Sequence, residues 1–183
     1  NYMPRYSSDL SQTVGMSAIG ELGVSRWLLE SDFSITVEGF RSGYLLIPEN
    51  FLEGLRQTGY RRDSTYAAGL TRGYFPFVLF EVNSGVVTTY PIVEYPMGLE
   101  DRHLTDETFT QILDAWESVI RANYNNNAPT VLNIHPVSTG PRREALEAIL
   151  DRVADLNLWI GDWKTFAEFW EAQGVTCERW PSA

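Results

Sequence analysis

The sequence is poor in cysteine and histidine and lacks several patterns that mark common sites. Cys177 is the one cysteine among 183 residues, so an internal disulfide is excluded. The two histidines form no His-x-x-x-His pair, and no Asp-rich loop is present, so the usual sequence signs of a metal site are missing. A Gly-x-Ser-x-Gly motif and a phosphate-binding loop ending in Lys-Ser/Thr are absent too. Their absence removes the sequence signatures of a serine triad and of a P-loop.

Basic residues and long apolar runs are also scarce. The chain has 14 Lys and Arg against 24 Asp and Glu, for a net charge of −10. No basic stretch is interleaved with aromatics, so nucleic acid and acidic membrane surfaces are poor partners. No apolar run approaches the roughly 20 residues that a membrane span needs. Since the chain starts Asn1-Tyr2-Met3-Pro4 rather than with Met, we expect a processed product or a piece of a longer protein.

The composition that remains is that of a folded α/β domain. Apolar residues make up 44% and aromatics 13% of the chain, which argues against disorder. The length suits one domain, so we predict a single domain over residues 1–183. Strands are predicted at 35–40, 60–64, 130–135 and 157–160, and helices from Ser17, Pro48, Thr105, Pro141 and Asp162. Their alternation indicates an α/β fold.

A hairpin interrupts this alternation. The turn residues Asn83-Ser84-Gly85 separate the β-branched runs Phe77–Val82 and Val86–Tyr90, which predicts a β-hairpin insertion around 77–94, followed by a separate extended piece over 91–96. A closed eight-stranded barrel usually needs about 250 residues. The strands here are too few, so we predict a distorted or incomplete (β/α) barrel. Its open strand edges favour pairing with a second chain or self-association.

Two predicted strands end in chemically useful side chains. His135 ends the run that begins at Thr130, and Arg41 follows the strand 35–40. Functional side chains collect where parallel strands end. A histidine facing an arginine-held carboxylate would make an acid/base pair. A hydrogen bond within the loop for His135 and a surface salt bridge for Arg41 are the alternatives, and His103 is predicted to be a solvated loop residue.

Three segments together resemble a known family. They are Gly39–Tyr44 with the following helix and the strand Gly59–Ser64, then Leu132–Pro136, then the tail that includes Trp163–Trp170. They are similar to the Phe-Arg-x-x-Tyr turn, the Gly-Tyr-x-x-Asp-Ser strand, the apolar-His-Pro strand end and the C-terminal helix of the polysaccharide deacetylases of carbohydrate esterase family four. The resemblance spans roughly residues 17–172 and implies the fold and chemistry of that family.

The resemblance also implies roles for four residues. His135 matches the general acid that protonates the leaving amine, and Arg41 matches the arginine that orients the catalytic aspartate. Tyr44 matches the residue whose backbone N–H steadies the oxyanion, and Ile134 would line the acetyl pocket. The implied chemistry is metal-assisted hydrolysis of an acetyl group.

The family's metal ligands find no counterparts here. Its two consecutive aspartates would lie on a strand before Asn1, so the resemblance is to a divergent or N-terminally incomplete member. Its two histidine ligands align with Met3 and Ser7, which leaves the metal ligands unknown. A divalent metal such as zinc is expected if the protein is active, and no cofactor otherwise.

The expected function is therefore a polysaccharide deacetylase, a hydrolase that removes N-acetyl or O-acetyl groups from a glycan. The alternative is a catalytically inactive deacetylase fold, or pseudoenzyme, that serves as a carbohydrate-binding or structural assembly module. A third hypothesis is a metal-independent hydrolase using His103 and His135. An N-acetylated glycan is the expected ligand, and access to such a polymer predicts a secreted or cell-surface location.

Overall fold

A computed structural model describes residues 18–48, 50–136 and 140–175, and within them the fold is mixed α/β. In chain order the elements are α1 (Ala18–Phe33), β1 (Gly39–Phe40), α2 (Phe51–Gln57), β2 (Arg62–Asp63), α3 (Ala68–Thr71), β3 (Phe77–Asn83), β4 (Val86–Glu94), β5 (Leu99–Glu100), α4 (Phe109–Asn125), β6 (Leu132–Asn133), α5 (Arg142–Arg152) and α6 (Trp163–Ala172). The α/β prediction is confirmed. No closed sheet occurs among the described residues, so the barrel itself is not confirmed.

Backbone packing divides the chain into two compact units. Among described residues, the first unit holds those up to Thr65, Phe77–Glu94 and the residues from Glu171 onward. The second holds Tyr66–Pro76 and the part between Tyr95 and Trp170. The single domain predicted from the sequence stays a prediction, and each unit is described in turn.

The first unit contains a four-stranded sheet in the order β1-β2-β4-β3. β1, β2 and β4 are parallel, and β3 is antiparallel to β4. The register aligns Phe40 with Asp63 and Asp63 with Glu94. The predicted strand–helix–strand unit is confirmed as β1-α2-β2, although its strands are shorter than the sequence suggested. α2 buries Phe51, Leu52 and Leu55, as its apolar spacing predicts.

β3 and β4 form the predicted hairpin. Ser84 and Gly85 both have positive φ, 52° and 83°, which fits the primed turns that match strand twist. The prediction of a separate extended piece over 91–96 is wrong, because β4 runs on through Pro91 to Glu94. The register shifts between Val78 and Phe80, so Pro91 lies in a bulge, where a missing N–H costs no ladder bond.

The second unit contains the parallel pair β5 and β6 and the helices packed on it. Its core consists of Leu99, Leu104, Leu113, Trp116, Ala145, Ile149 and Val153. The predicted strand 157–160 is wrong: these residues form no strand, and Trp159 and Ile160 are exposed. α6 begins as predicted, since Asp162 Oδ1 accepts the backbone N–H of Thr165 at 2.9 Å.

Candidate functional site

The carboxyl ends of β5 and β6 bring Asp101 and His135 together. The register pairs Glu100 with Asn133, so the residues that follow leave the sheet side by side. His135 Nδ1 lies 2.6 Å from Asp101 Oδ1, and the His135 backbone N–H donates to Asp101 Oδ2 at 3.0 Å. His135 therefore makes two hydrogen bonds to the carboxylate of Asp101, which follows a different strand, rather than a hydrogen bond within its own loop.

Burial differs sharply between the two partners. Asp101 is 0% exposed, whereas the His135 side chain is 58% exposed. An ionised carboxylate can only accept hydrogen bonds, so Nδ1 of His135 carries the proton that lies between them. Nε2 is then the ring atom that can take up or release a proton on the exposed side.

A third side chain fixes the carboxylate from α5. Arg142, the first residue of that helix, donates from Nε to Asp101 Oδ2. Burial alone would raise the pKa of Asp101, but the hydrogen bonds from His135 and Arg142 outweigh it and hold that pKa below its usual value. Asp101 is therefore ionised at neutral pH and can orient and electrostatically stabilise a charged His135.

Arg41 lies in the first unit, where its guanidinium is held by Ser64. Its Nε donates to the Ser64 carbonyl at 2.9 Å and its Nη2 donates to Ser64 Oγ at 2.7 Å. Burial lowers the pKa of Arg41, while the charges of Glu94 and Asp63 act in the opposite direction. Arg41 thus has carboxyl neighbours on β2 and β4 of its own unit.

Asp63 and Glu94 are both fully buried at the centre of that sheet. Burial raises the pKa of Asp63, and hydrogen bonds from Thr65 and with Glu94 oppose this rise. The Thr65 hydroxyl donates to Asp63 Oδ1 at 2.7 Å. Both carboxyl groups are shielded from solvent and act on the residues around them.

The remaining predicted site residues lie in different surroundings. Tyr44 is 86% exposed on a short turn, Gly43–Leu45. Ile134 is half-buried and packs against the core of the second unit. His103 is exposed, as expected for a solvated loop residue. The first unit contains Arg41 and Tyr44, and the second contains Ile134 and His135. The catalytic and binding roles that the resemblance implies for these four residues stay predictions.

Sequence reasoning missed Asp101 and Arg142. β5 has only two residues, Leu99 and Glu100, which is too short for a periodic pattern to reveal. The available signal is an acidic residue directly after a short apolar segment and before the helix that leads to the His135 strand. For Arg142, the sequence predicts only that it lies in the helix that begins at Pro141.

Metal ligands are not evident in the part of the chain that the structure describes. There, no group of three or more His, Cys, Asp or Glu side chains is placed to hold a metal ion. Met3 and Ser7, the positions aligned with the family's histidines, lie outside the described residues. The described donors therefore do not fit the divalent ion that the resemblance implies.

Comparisons with known proteins show a fold likeness. No family profile and no curated protein matches the sequence. The crystal structure of a "putative polysaccharide deacetylase" from Mycobacterium smegmatis matches with a TM-score of 0.67 and 21% sequence identity, over 89% of this chain. This chain spans 60% of the length of that structure. The chain thus has a polysaccharide deacetylase-like fold. Among the described residues, no helix is long and apolar enough to cross a membrane.

Proposed function

We propose that this chain is a polysaccharide deacetylase that hydrolyses N-acetyl or O-acetyl groups on a glycan, with His135 as its proton donor. The single observation that carries the proposal is the exposed His135 ring held on the buried carboxylate of Asp101. Such a pair is suited to acid/base work, because the carboxylate fixes the ring and stabilises its charged form. The fold likeness supports the same reaction class.

The chemistry of amide hydrolysis assigns each member of the pair a role. A water oxygen adds to the acetyl carbonyl while one of the water protons passes to His135 Nε2, the C–N bond breaks, and the nitrogen takes up that proton as it leaves. His135 supplies that proton from Nε2, while Asp101 stays ionised and holds Nδ1. Arg142 keeps Asp101 in place and offsets its charge.

A divalent metal such as zinc is part of this proposal. The proposed substrate is an N-acetylated glycan, and the proposed location is extracellular or at the cell surface, where such polymers occur. Acetate release from N-acetylated chitooligosaccharides, with and without added Zn²⁺ or Ni²⁺, measures the activity directly.

The decisive variant is His135→Gln, with His103→Gln as its matched control. We expect His135→Gln to lower kcat by about 10²- to 10⁴-fold, the usual contribution of a general acid. The control should retain full turnover, because His103 is an exposed loop residue. Unchanged acetate release by His135→Gln would refute the role given to His135.

The inactive-module function is the second candidate. The observation that favours it is the presence of Met3 and Ser7 at the positions aligned with the metal-binding histidines. A module of this kind would bind chitooligosaccharides without releasing acetate at any metal concentration. Stoichiometric metal binding together with acetate release would exclude it.

A further inference from the structure

The turn that follows Arg41 has a strained backbone. Tyr44 and Leu45 both have a φ of 56°, and neither is glycine. The left-handed region costs a residue with a Cβ about 1–2 kcal/mol. Tyr44 is 86% exposed, so burial of its own side chain does not offset this cost. The contacts that hold the turn must therefore lie elsewhere.

Those contacts come from the residues that leave β2. The backbone N–H of Ser42 donates to Thr65 Oγ1 at 3.0 Å, and the Thr65 hydroxyl donates to Asp63 Oδ1 at 2.7 Å. Arg41 adds its two bonds to Ser64. Asp63 and Thr65 are 0% and 1% exposed, so these hydrogen bonds do not compete with bulk water.

The sheet register explains why these groups meet. Phe40 at the end of β1 is aligned with Asp63 on β2, so the segments that follow these two strands leave the sheet next to each other. Ser64 N–H also donates to the Phe40 carbonyl at 3.1 Å, which extends the ladder by one bond. Thr65 then lies beside Ser42, at the start of the strained turn.

We propose that Asp63 and Thr65 are positioning residues that fix the Arg41–Tyr44 turn through Ser42. A threonine hydroxyl has one hydrogen to donate. Because Asp63 accepts it, the hydroxyl oxygen faces the Ser42 N–H as an acceptor. The relay Asp63–Thr65–Ser42 thereby sets the backbone that presents Tyr44. Its relevance to catalysis rests on the proposed deacetylase function together with the oxyanion role that the family resemblance implies for the Tyr44 N–H.

The test measures the Ser42 amide directly. In Thr65→Val, which keeps the side-chain shape but removes the hydroxyl, hydrogen exchange at Ser42 followed by NMR should accelerate by about 10-fold or more. Thr65→Ser retains the hydroxyl and should restore most of the protection. Thr58→Val is the matched control, since the Thr58 hydroxyl donates to the Gly54 carbonyl on α2 and does not touch the turn. Unchanged Ser42 exchange in folded Thr65→Val would overturn the proposal.

A second variant covers the case in which Thr65→Val does not fold. Ser42 has a φ of −68°, which proline adopts, so Ser42→Pro deletes the N–H donor from the other side of the relay. Replacing Thr65 by Ala should then perturb the Tyr44 amide signal strongly in the wild-type background and little in the Ser42→Pro background. Equal perturbation in both backgrounds would contradict the relay.

Activity separates this proposal from the proposed function. If the wild type deacetylates, Thr65→Val should lower kcat more than it changes KM, because the turn acts on the transition state. A wild type that releases no acetate but shows the expected Ser42 exchange would refute the deacetylase function and leave the relay standing.

Discussion

At the scale of single residues, Asp101 is the most constrained side chain of the candidate site. It accepts hydrogen bonds from the backbone and ring of His135 and from Arg142, and it is fully buried. Three donors from two sides of the site keep its carboxylate charged. Asp101 should therefore contribute both to the chemistry of His135 and to the stability of the second unit.

Asp101→Asn tests this contribution to stability. We expect it to lower the free energy of unfolding by about 1–3 kcal/mol at neutral pH, because Asn replaces a charged acceptor with a neutral one that also brings two donors. The folded-state pKa of Asp101 lies below the value of 3.8 for the unfolded chain. A lowered pKa gives stability that is present above pH 3.8 and lost as pH falls through the folded-state pKa.

The measurement is urea unfolding over a pH series. The difference between wild type and Asp101→Asn should shrink as pH falls below 3.8. Asp114→Asn is the control, since Asp114 forms an exposed ion pair with Arg152 and should have a small effect at any pH. A difference that does not vary with pH would argue against an ionised Asp101.

Of the three side chains of this site, the sequence predicts one, His135. His135 was found because an apolar run, a histidine and a proline mark a strand end. Asp101 was not found, because its strand has two residues and its importance depends on which strand is the neighbour of β6. That neighbour relation is a long-range property, and no local pattern encodes it.

At the scale of elements, local signals predicted the hairpin best. Its strands are long, its turn residues are specific, and its pairing is with the adjacent segment, so few long-range contacts are needed. The segment 157–160 shows the opposite case. Its apolar residues suggested a strand, but no partner strand forms with it among the described residues. In α1, the apolar side chains of Trp27 and Leu29 are exposed.

The hairpin turn gives a prediction of its own. Gly85 has a φ of 83°, and a Cβ added there would meet no atom within 4 Å. Gly85→Ala should therefore destabilise the protein through backbone strain alone, by about 1–2 kcal/mol. Gly73→Ala is the control, because a Cβ there is also in open space and no positive φ opposes it. Thermal unfolding should show a lower Tm for the Gly85 variant, and equal Tm values would contradict the turn geometry.

At the scale of the whole molecule, the open sheet edge and the net charge act against each other. β3 is the last strand of the four-stranded sheet, and no strand pairs with its outer edge among the described residues. Phe80, Val82 and Val87 are exposed on the hairpin. The chain carries a net charge of −10, which disfavours contact between two copies except where charges are sparse.

The edge of β3 carries few charges, and we expect two copies of the chain to associate there. The strand has one charged residue, Glu81, whose carboxylate already accepts the Tyr90 hydroxyl at 2.8 Å. Antiparallel pairing centred on Phe80 would place Glu81 opposite Leu79 of a second copy, so that like charges do not face each other. Sedimentation velocity should therefore show a weight-average mass that rises with protein concentration.

Val82→Lys places a charge on this edge and should shift the protein toward monomer, because an edge lysine opposes strand pairing. Val24→Lys, at an exposed apolar position on α1, is the matched control and should leave association unchanged. A wild type that stays monomeric at all concentrations would refute self-association. Association that persists in Val82→Lys but disappears in Val24→Lys would move the interface from the sheet edge to α1, where Trp27 and Phe33 are also exposed.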